Sequence, residues 1–268
     1  MKQVVWFLIL ALAISATAFA QQDPADIGAA DTVRIGCPLE ISPAVEGDSF
    51  GIPVYLWCDE DVYGFSLGFN YNSDLVEIVS WDLTGGVVPV AAHENVYAHF
   101  LPEQNTALVG WIDLTFELGI DPMASGPAQL LGTMYMKVVG QVDDLDVDLD
   151  SVFVGPAGDF IIAADSGSGA TPFIVQVTPQ YVDCGTADVH LQGYLCGDAD
   201  FDGLANITDA VYIINYIFNS GPEPTPYAAG DVNCDTIVNI TDAVYLISWI
   251  FGGGSGPCDT DNDGQPDC

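Results

Sequence analysis

Two short stretches of this chain carry oxygen-bearing side chains at alternate positions. Asp198, Asp200 and Asp202 are followed by Leu204, Asn206 and Asp209. At an offset of 33 residues, Asp231, Asn233 and Asp235 are followed by Ile237, Asn239 and Asp242. Alternate side chains of a tight loop converge on one point, and a hard cation such as calcium takes roughly six to eight oxygens there. Loop positions 1, 3, 5 and 12 supply side-chain oxygen in each stretch. Position 7 supplies a backbone carbonyl, from Leu204 or Ile237, and position 9 an Asn, directly or through water. Position 6, where the chain must turn sharply, is Gly203 in the first loop and the β-branched Thr236 in the second. Glycine suits that turn and a β-branched residue tolerates it poorly. Magnesium fits less well, because it keeps its waters and seldom enters an all-protein cage.

Each loop runs into a segment with apolar residues at helical spacing: Val211, Ile214, Ile217 and Phe218, then Val244, Ile247, Ile250 and Phe251. Each unit is therefore a loop followed by an amphipathic helix, stopped by the glycines at 221 and 252–254. Neither helix can bury an apolar face alone, so the two units should stack. A third run, Asp259, Asp261, Asp263, Gly264 and Asp267, repeats the spacing and ends at Cys268 before any twelfth position. It reads either as a third calcium loop, similar to a thrombospondin type 3 repeat, or as a solvated acidic tail.

The rest of the chain has a different period. Phe65, Leu67, Phe69 and Tyr71 alternate with Gly64, Ser66, Gly68 and Asn70, and Leu130, Met134, Met136 and Val138 form a similar run. Short strands punctuated by Gly, Pro, Asn and Asp predict a mainly β domain, an antiparallel jelly-roll-type sandwich of about nine strands. The expected organisation is a signal peptide at 1–20, a tail at 21–30, the sandwich at 31–183, a connector at 184–196, the small α unit at 197–254 and an acidic tail at 255–268. Lys2, the apolar run Val4–Ile14 and Ala18-Phe19-Ala20 make up the signal. That implies a secreted chain in an oxidising compartment.

Seven cysteines follow the leader: Cys37, Cys58, Cys184, Cys196, Cys234, Cys258 and Cys268. An odd count leaves one thiol free or paired between chains. The pair expected first is Cys258–Cys268, which brackets one short acidic loop.

The 268 residues hold 38 acids against 3 Lys and Arg, a formal charge of −35. That excludes phosphate-backbone binding and disfavours anionic membranes, while the 50% apolar content argues against disorder. No catalytic constellation emerges. His93, His99 and His190 are scattered, Asp146, Asp148 and Asp150 read as a solvated strand face, and Trp57, Trp81 and Trp111 read as core before they read as a sugar-stacking face.

The duplicated loop–helix unit, with Asp at position 12, resembles a dockerin. The resemblance implies two antiparallel loop–helix units, each ordered by calcium, that bind a cohesin domain. It places partner recognition at loop positions 10 and 11, here Ile207 and Thr208, then Ile240 and Thr241, and implies two alternative, two-fold-related binding modes. Many dockerins carry a hydroxyl residue at position 10 and basic residues on the helix. This chain has Ile there and no Lys or Arg in either helix. In the first half, Val45-Glu46-Gly47-Asp48 through Val54, and Phe65-Ser66-Leu67-Gly68-Phe69-Asn70-Tyr71 through Val76, resemble a cohesin, with Asn72-Ser73 in place of its usual Asp-Pro. A carbohydrate-binding sandwich shares much of that pattern. The expected function is secreted, non-enzymatic, calcium-dependent assembly in an extracellular complex for polysaccharide breakdown. The partner would be a cohesin of another protein or of another copy. The alternative is a sandwich that binds or cleaves glycans and is recruited by its dockerin.

Overall fold

A computed structural model describes residues 29–258 except 124–125, 143, 154–159, 166–173 and 186. The expected leader, most of the tail after it and the third loop, Asp259, Asp261, Asp263 and Asp267, lie outside the described residues.

The first part forms strands β1 (Thr32–Ile35), β2 (Leu39–Ile41), β3 (Ser49–Trp57), β4 (Val62–Tyr71), β5 (Val76–Asp82), β6 (Val96–Leu101) and β7 (Thr106–Ile112). They are followed by β8 (Gln129–Val138), β9 (Asp144–Val147), β10 (Leu149–Ser151), β11 (Ile161–Asp165), β12 (Ile174–Val177), β13 (Gln180–Val182) and β14 (Val189–Gln192). One sheet runs β13-β1-β3-β8-β5 and a second β12-β11-β4-β7-β6, with β10 also paired to β4. A small third sheet runs β2-β14-β9. Pairing is antiparallel except at β1–β13 and β14–β2. The alternation places Ile52, Val54, Met134 and Met136 of the first sheet against Phe65, Leu67, Val109 and Trp111 of the second, in one buried core.

The fold is the expected β-sandwich, with more strands than the period predicts. The additions, such as β2, β10, β13 and β14, are three or four residues long, too short to show a period of two.

The stretch 184–196, expected to be a connector, contains β14. Val189 and Leu191 are buried in the sandwich core. Buried Asp188 accepts hydrogen bonds from the Leu149 N–H at 2.7 Å and the Cys184 N–H at 3.0 Å. Only residues 193–196 remain between β14 and the first loop.

The expected Cys258–Cys268 pair is not formed; Cys258 is bonded to Cys234. The reason is backbone docking: the Cys258 N–H donates to the Val232 carbonyl at 3.0 Å and holds Cys258 against the second loop. Cys184 is bonded to Cys37, and Cys196 is also in a disulfide. The free thiol among the described residues is Cys58. Burial, with Asp31 and Glu60 adding to it, pushes this thiol up to about 12, so it stays protonated and inert.

After the sandwich come α1 (Ile207–Asn219) and α2 (Ile240–Gly252). They pack on each other through Ala210, Ile213, Ala243 and Leu246, closed by Val232 and Val238, in a core separate from that of the sandwich.

Candidate metal and docking site

The two loops are built alike, atom by atom. Asp198, nearly buried, accepts the N–H groups of Asp202 at 2.9 Å and Gly203 at 2.7 Å. Asp231 accepts those of Asp235 at 3.0 Å and Thr236 at 2.7 Å. Asp209 and Asp242 are wholly buried. Each spans its loop, one oxygen accepting from Asp200 or Asn233 N–H at 3.2 and 3.3 Å. The other oxygen accepts from Asn206 or Asn239 N–H at 2.8 Å.

The turn geometry is shared as well. Position 4 is left-handed in both loops, with φ 58° at Phe201 and 55° at Cys234. Position 6 is left-handed too, with φ 86° at Gly203 and 72° at Thr236. The second loop therefore holds a β-branched residue where glycine is favoured, at a cost of about 1–3 kcal/mol.

The donor set fits calcium. Carboxylate oxygens of Asp198, Asp200 and Asp202 lie within 4.8 Å of one another. One oxygen of Asp200 is buried without a hydrogen-bond partner. No Lys or Arg lies anywhere in residues 138–268 to neutralise these acids. Burial, ahead of repulsion from Asp200 and Asp198, raises the Asp209 carboxyl above its ordinary value. Asp242 is raised in the same way, by burial and then by Asp231 and Asp235. Buried carboxylates with no cationic side chain need either a proton or a bound cation.

The expected position-9 ligands have a second task. Asn206 and Asn239 are the N-caps of α1 and α2, and each helix begins with a full capping box closed by Asp209 or Asp242. Their side-chain oxygens accept from Thr208 and Thr241 N–H at 2.9 and 2.8 Å. Their amide groups donate to the Leu204 and Ile237 carbonyls at 2.9 and 3.0 Å, the oxygens expected at position 7. The same residues thus fold the loop and start the helix. The hydroxyls of Thr208 and Thr241 are spent on this cap.

Residues 196–251 match the dockerin type I domain family. No curated protein matches the chain. Solved structures similar in fold include a chain from a type I cohesin–dockerin complex of Clostridium thermocellum, at 14% identity and TM-score 0.45, covering 62% of this chain and 99% of that one. Another is the seventh ScaB type I cohesin of Pseudobacteroides cellulosolvens, at 10% identity and TM-score 0.45, covering 61% of this chain and 92% of that one. A chain from the complex of the sixth scaffoldin B cohesin of Acetivibrio cellulolyticus with a dockerin has 12% identity and TM-score 0.44, covering 62% and 99%. Calcium binding is the chemistry that a dockerin match implies.

In this dockerin unit the expected recognition residues Ile207, Thr208, Ile240 and Thr241 are exposed. Sequence reading missed their neighbours. Val211 and Phe218 were expected to face inward, but they are 50% and 65% exposed, and their counterparts Val244 and Phe251 are 59% and 71% exposed. The inward face is instead Ala210 and Ile213, matched by Ala243 and Leu246. The signal was available. Both helices carry apolar residues on more than one face, which is more than a two-helix core can bury.

Proposed function

We propose that the chain is a secreted, non-enzymatic assembly protein whose dockerin unit, ordered by two calcium ions, docks on a cohesin-type sandwich in an extracellular complex for polysaccharide breakdown. Asp198, Asp200, Asp202 and Asp209 would hold the first ion with the Leu204 carbonyl. Asp231, Asn233, Asp235 and Asp242 would hold the second with the Ile237 carbonyl, Asn206 and Asn239 contributing through their caps. Bound calcium supplies the positive charge that these buried carboxylates lack. The chain's own residues do the rest: Asp209 and Asp242 tie each loop to the first turn of its helix and so aim the helix. Residues 1–20 direct export in this reading, and 197–254 form the docking unit.

The observation that carries the proposal is the pairing of two features in each repeat: a wholly buried position-12 Asp and an outward apolar stripe, Ile207-Val211-Phe218 or Ile240-Val244-Phe251. A stripe of this kind is a protein-docking surface. The glycan reading finds less support, because Trp111 is buried and Trp81 packs against the core. The test is binding of the full chain to cohesin domains in calcium and in EDTA. Calcium-dependent capture, lost when Val211 and Val244 are both changed to Asp, is the expected result. Binding that survives EDTA, or an absence of binding to any cohesin, would overturn the proposal.

A further inference from the structure

In a chain of net charge −35, two surfaces are free of charge. The first is the outward side of α1 and α2, whose only acids, Asp209 and Asp242, are buried. The second is the outer face of strands β4, β7 and β6 of the six-stranded sheet; Asp150 of β10 and Asp165 of β11 lie on the same face outside that patch. Alternation turns Phe65, Leu67 and Val109 inward and leaves Gly64, Ser66 and Gly110 facing out. Tyr97 lies across Gly110 so closely that a Cβ there would meet its ring. With Ile112 and Ile161 it walls a shallow apolar groove floored by the small residues. The Ser66 hydroxyl at that floor is nine-tenths buried and has no hydrogen-bond partner. No outward residue of β4, β6 or β7 is Asp, Glu, Lys or Arg.

Copies of so acidic a chain repel each other wherever carboxylates would meet. Apposing these two faces avoids that repulsion, and their shapes match: an apolar helical ridge and a trough floored by glycine and serine. We propose that the helix stripe of one copy docks in the sheet groove of a second copy, head to tail. This rests on the proposed docking role of the stripes and names their partner. Docking within one chain is not what the structure shows, because both stripes are exposed in it. Residues 193–196 also span no more than about 14 Å when extended. Each copy offers one groove and two equivalent stripes, so the contact is heterologous and grows linear assemblies unless it closes into a ring.

The test is sedimentation velocity of the full chain with a groove variant, Ile112→Asp, and a stripe variant, Val211→Asp with Val244→Asp. In calcium the wild type should assemble with rising concentration, and in EDTA it should be monomeric. Each variant alone should lose self-association by roughly 30-fold or more. Mixed, the two variants should form a one-to-one complex, since one keeps its stripes and the other its groove. Tyr97→Asp is a second groove variant should Ile112→Asp fail to fold. A mixture that stays monomeric with both variants folded would overturn self-docking. If the stripes then still capture an added cohesin domain in calcium, the proposed function stands; if they capture none, both fall.

Discussion

The sandwich and the dockerin unit are held together by different physics. The sandwich buries Trp111, Phe69, Leu67, Met134 and many more in one core. The core of the dockerin unit is a cluster of seven buried apolar residues, three of them Ala, and the unit leaves a comparable apolar stripe in solvent. A core that small cannot offset chain entropy by itself. Its order must come from the loops, and the loops concentrate negative charge. One half is stabilised by what it hides from water; in the proposed function the other is stabilised by an ion that reconciles its acids. If the proposed function holds, the difference teaches that stability and docking in the smaller unit share one switch, to which the sandwich is indifferent.

Removing calcium should break the comparison most visibly. In EDTA the helical circular dichroism should fall and the near-neutral thermal transition of the dockerin unit should vanish, while the sandwich transition stays in place. Core truncations come next. Trp111→Ala should cost the sandwich about 3–5 kcal/mol and Leu246→Ala should cost the dockerin unit about 2–5 kcal/mol, read as separate shifts in two-transition calorimetry. Only the Leu246 change should weaken apparent calcium affinity.

The two loops then sharpen the comparison from within. Thr236→Gly relieves a left-handed backbone and should stabilise the second loop by about 1 kcal/mol; Gly203→Thr should destabilise the first by about 1–2 kcal/mol. Calcium titrations of each variant would show the two affinities converging or separating accordingly.

Acidity should act oppositely with and without calcium. Asp209 and Asp242 have raised folded values, so without calcium their charged forms oppose folding at neutral pH. The metal-free unit should gain stability as pH falls through those raised values. With calcium the sign should reverse, because protons compete for the seven aspartates proposed as ligands. Helical signal against pH in the two conditions reads this directly.

The smallest effect belongs to the sandwich. His190 of β14 sits between Asp146 of β9 and Glu40 of β2 across the small sheet, with Asp144 at 3.6 Å. Its hydrogen bond with Asp146, at 2.9 Å, raises it above 6.5. The stabilisation is complete below the unfolded value and disappears as pH rises through the folded one. His190→Gln should remove that slope from the sandwich melting temperature.

The loop turns and helix starts were legible in the sequence because their spacing is local: twelve consecutive residues carry the pattern, and it recurs at an offset of 33. The sandwich was legible as a period but not as a strand count, because β9 and β10 trade sheets around Asp148 within one short stretch. β14 read as linker since four residues paired to distant strands have no local signature. The Cys234–Cys258 bond depends on the Val232 carbonyl, which no spacing rule reveals. The outward stripes were misread because apolar residues on an amphipathic helix look inward until the size of the core is known.

Calcium binding by the full chain, compared with an Asp209→Ala, Asp242→Ala double variant in the same calorimeter, tests the central claim most directly. The account predicts that the double variant binds two fewer ions and lacks the calcium-induced gain in helix. Equal stoichiometry in the two proteins, or an unchanged helical response, would contradict it.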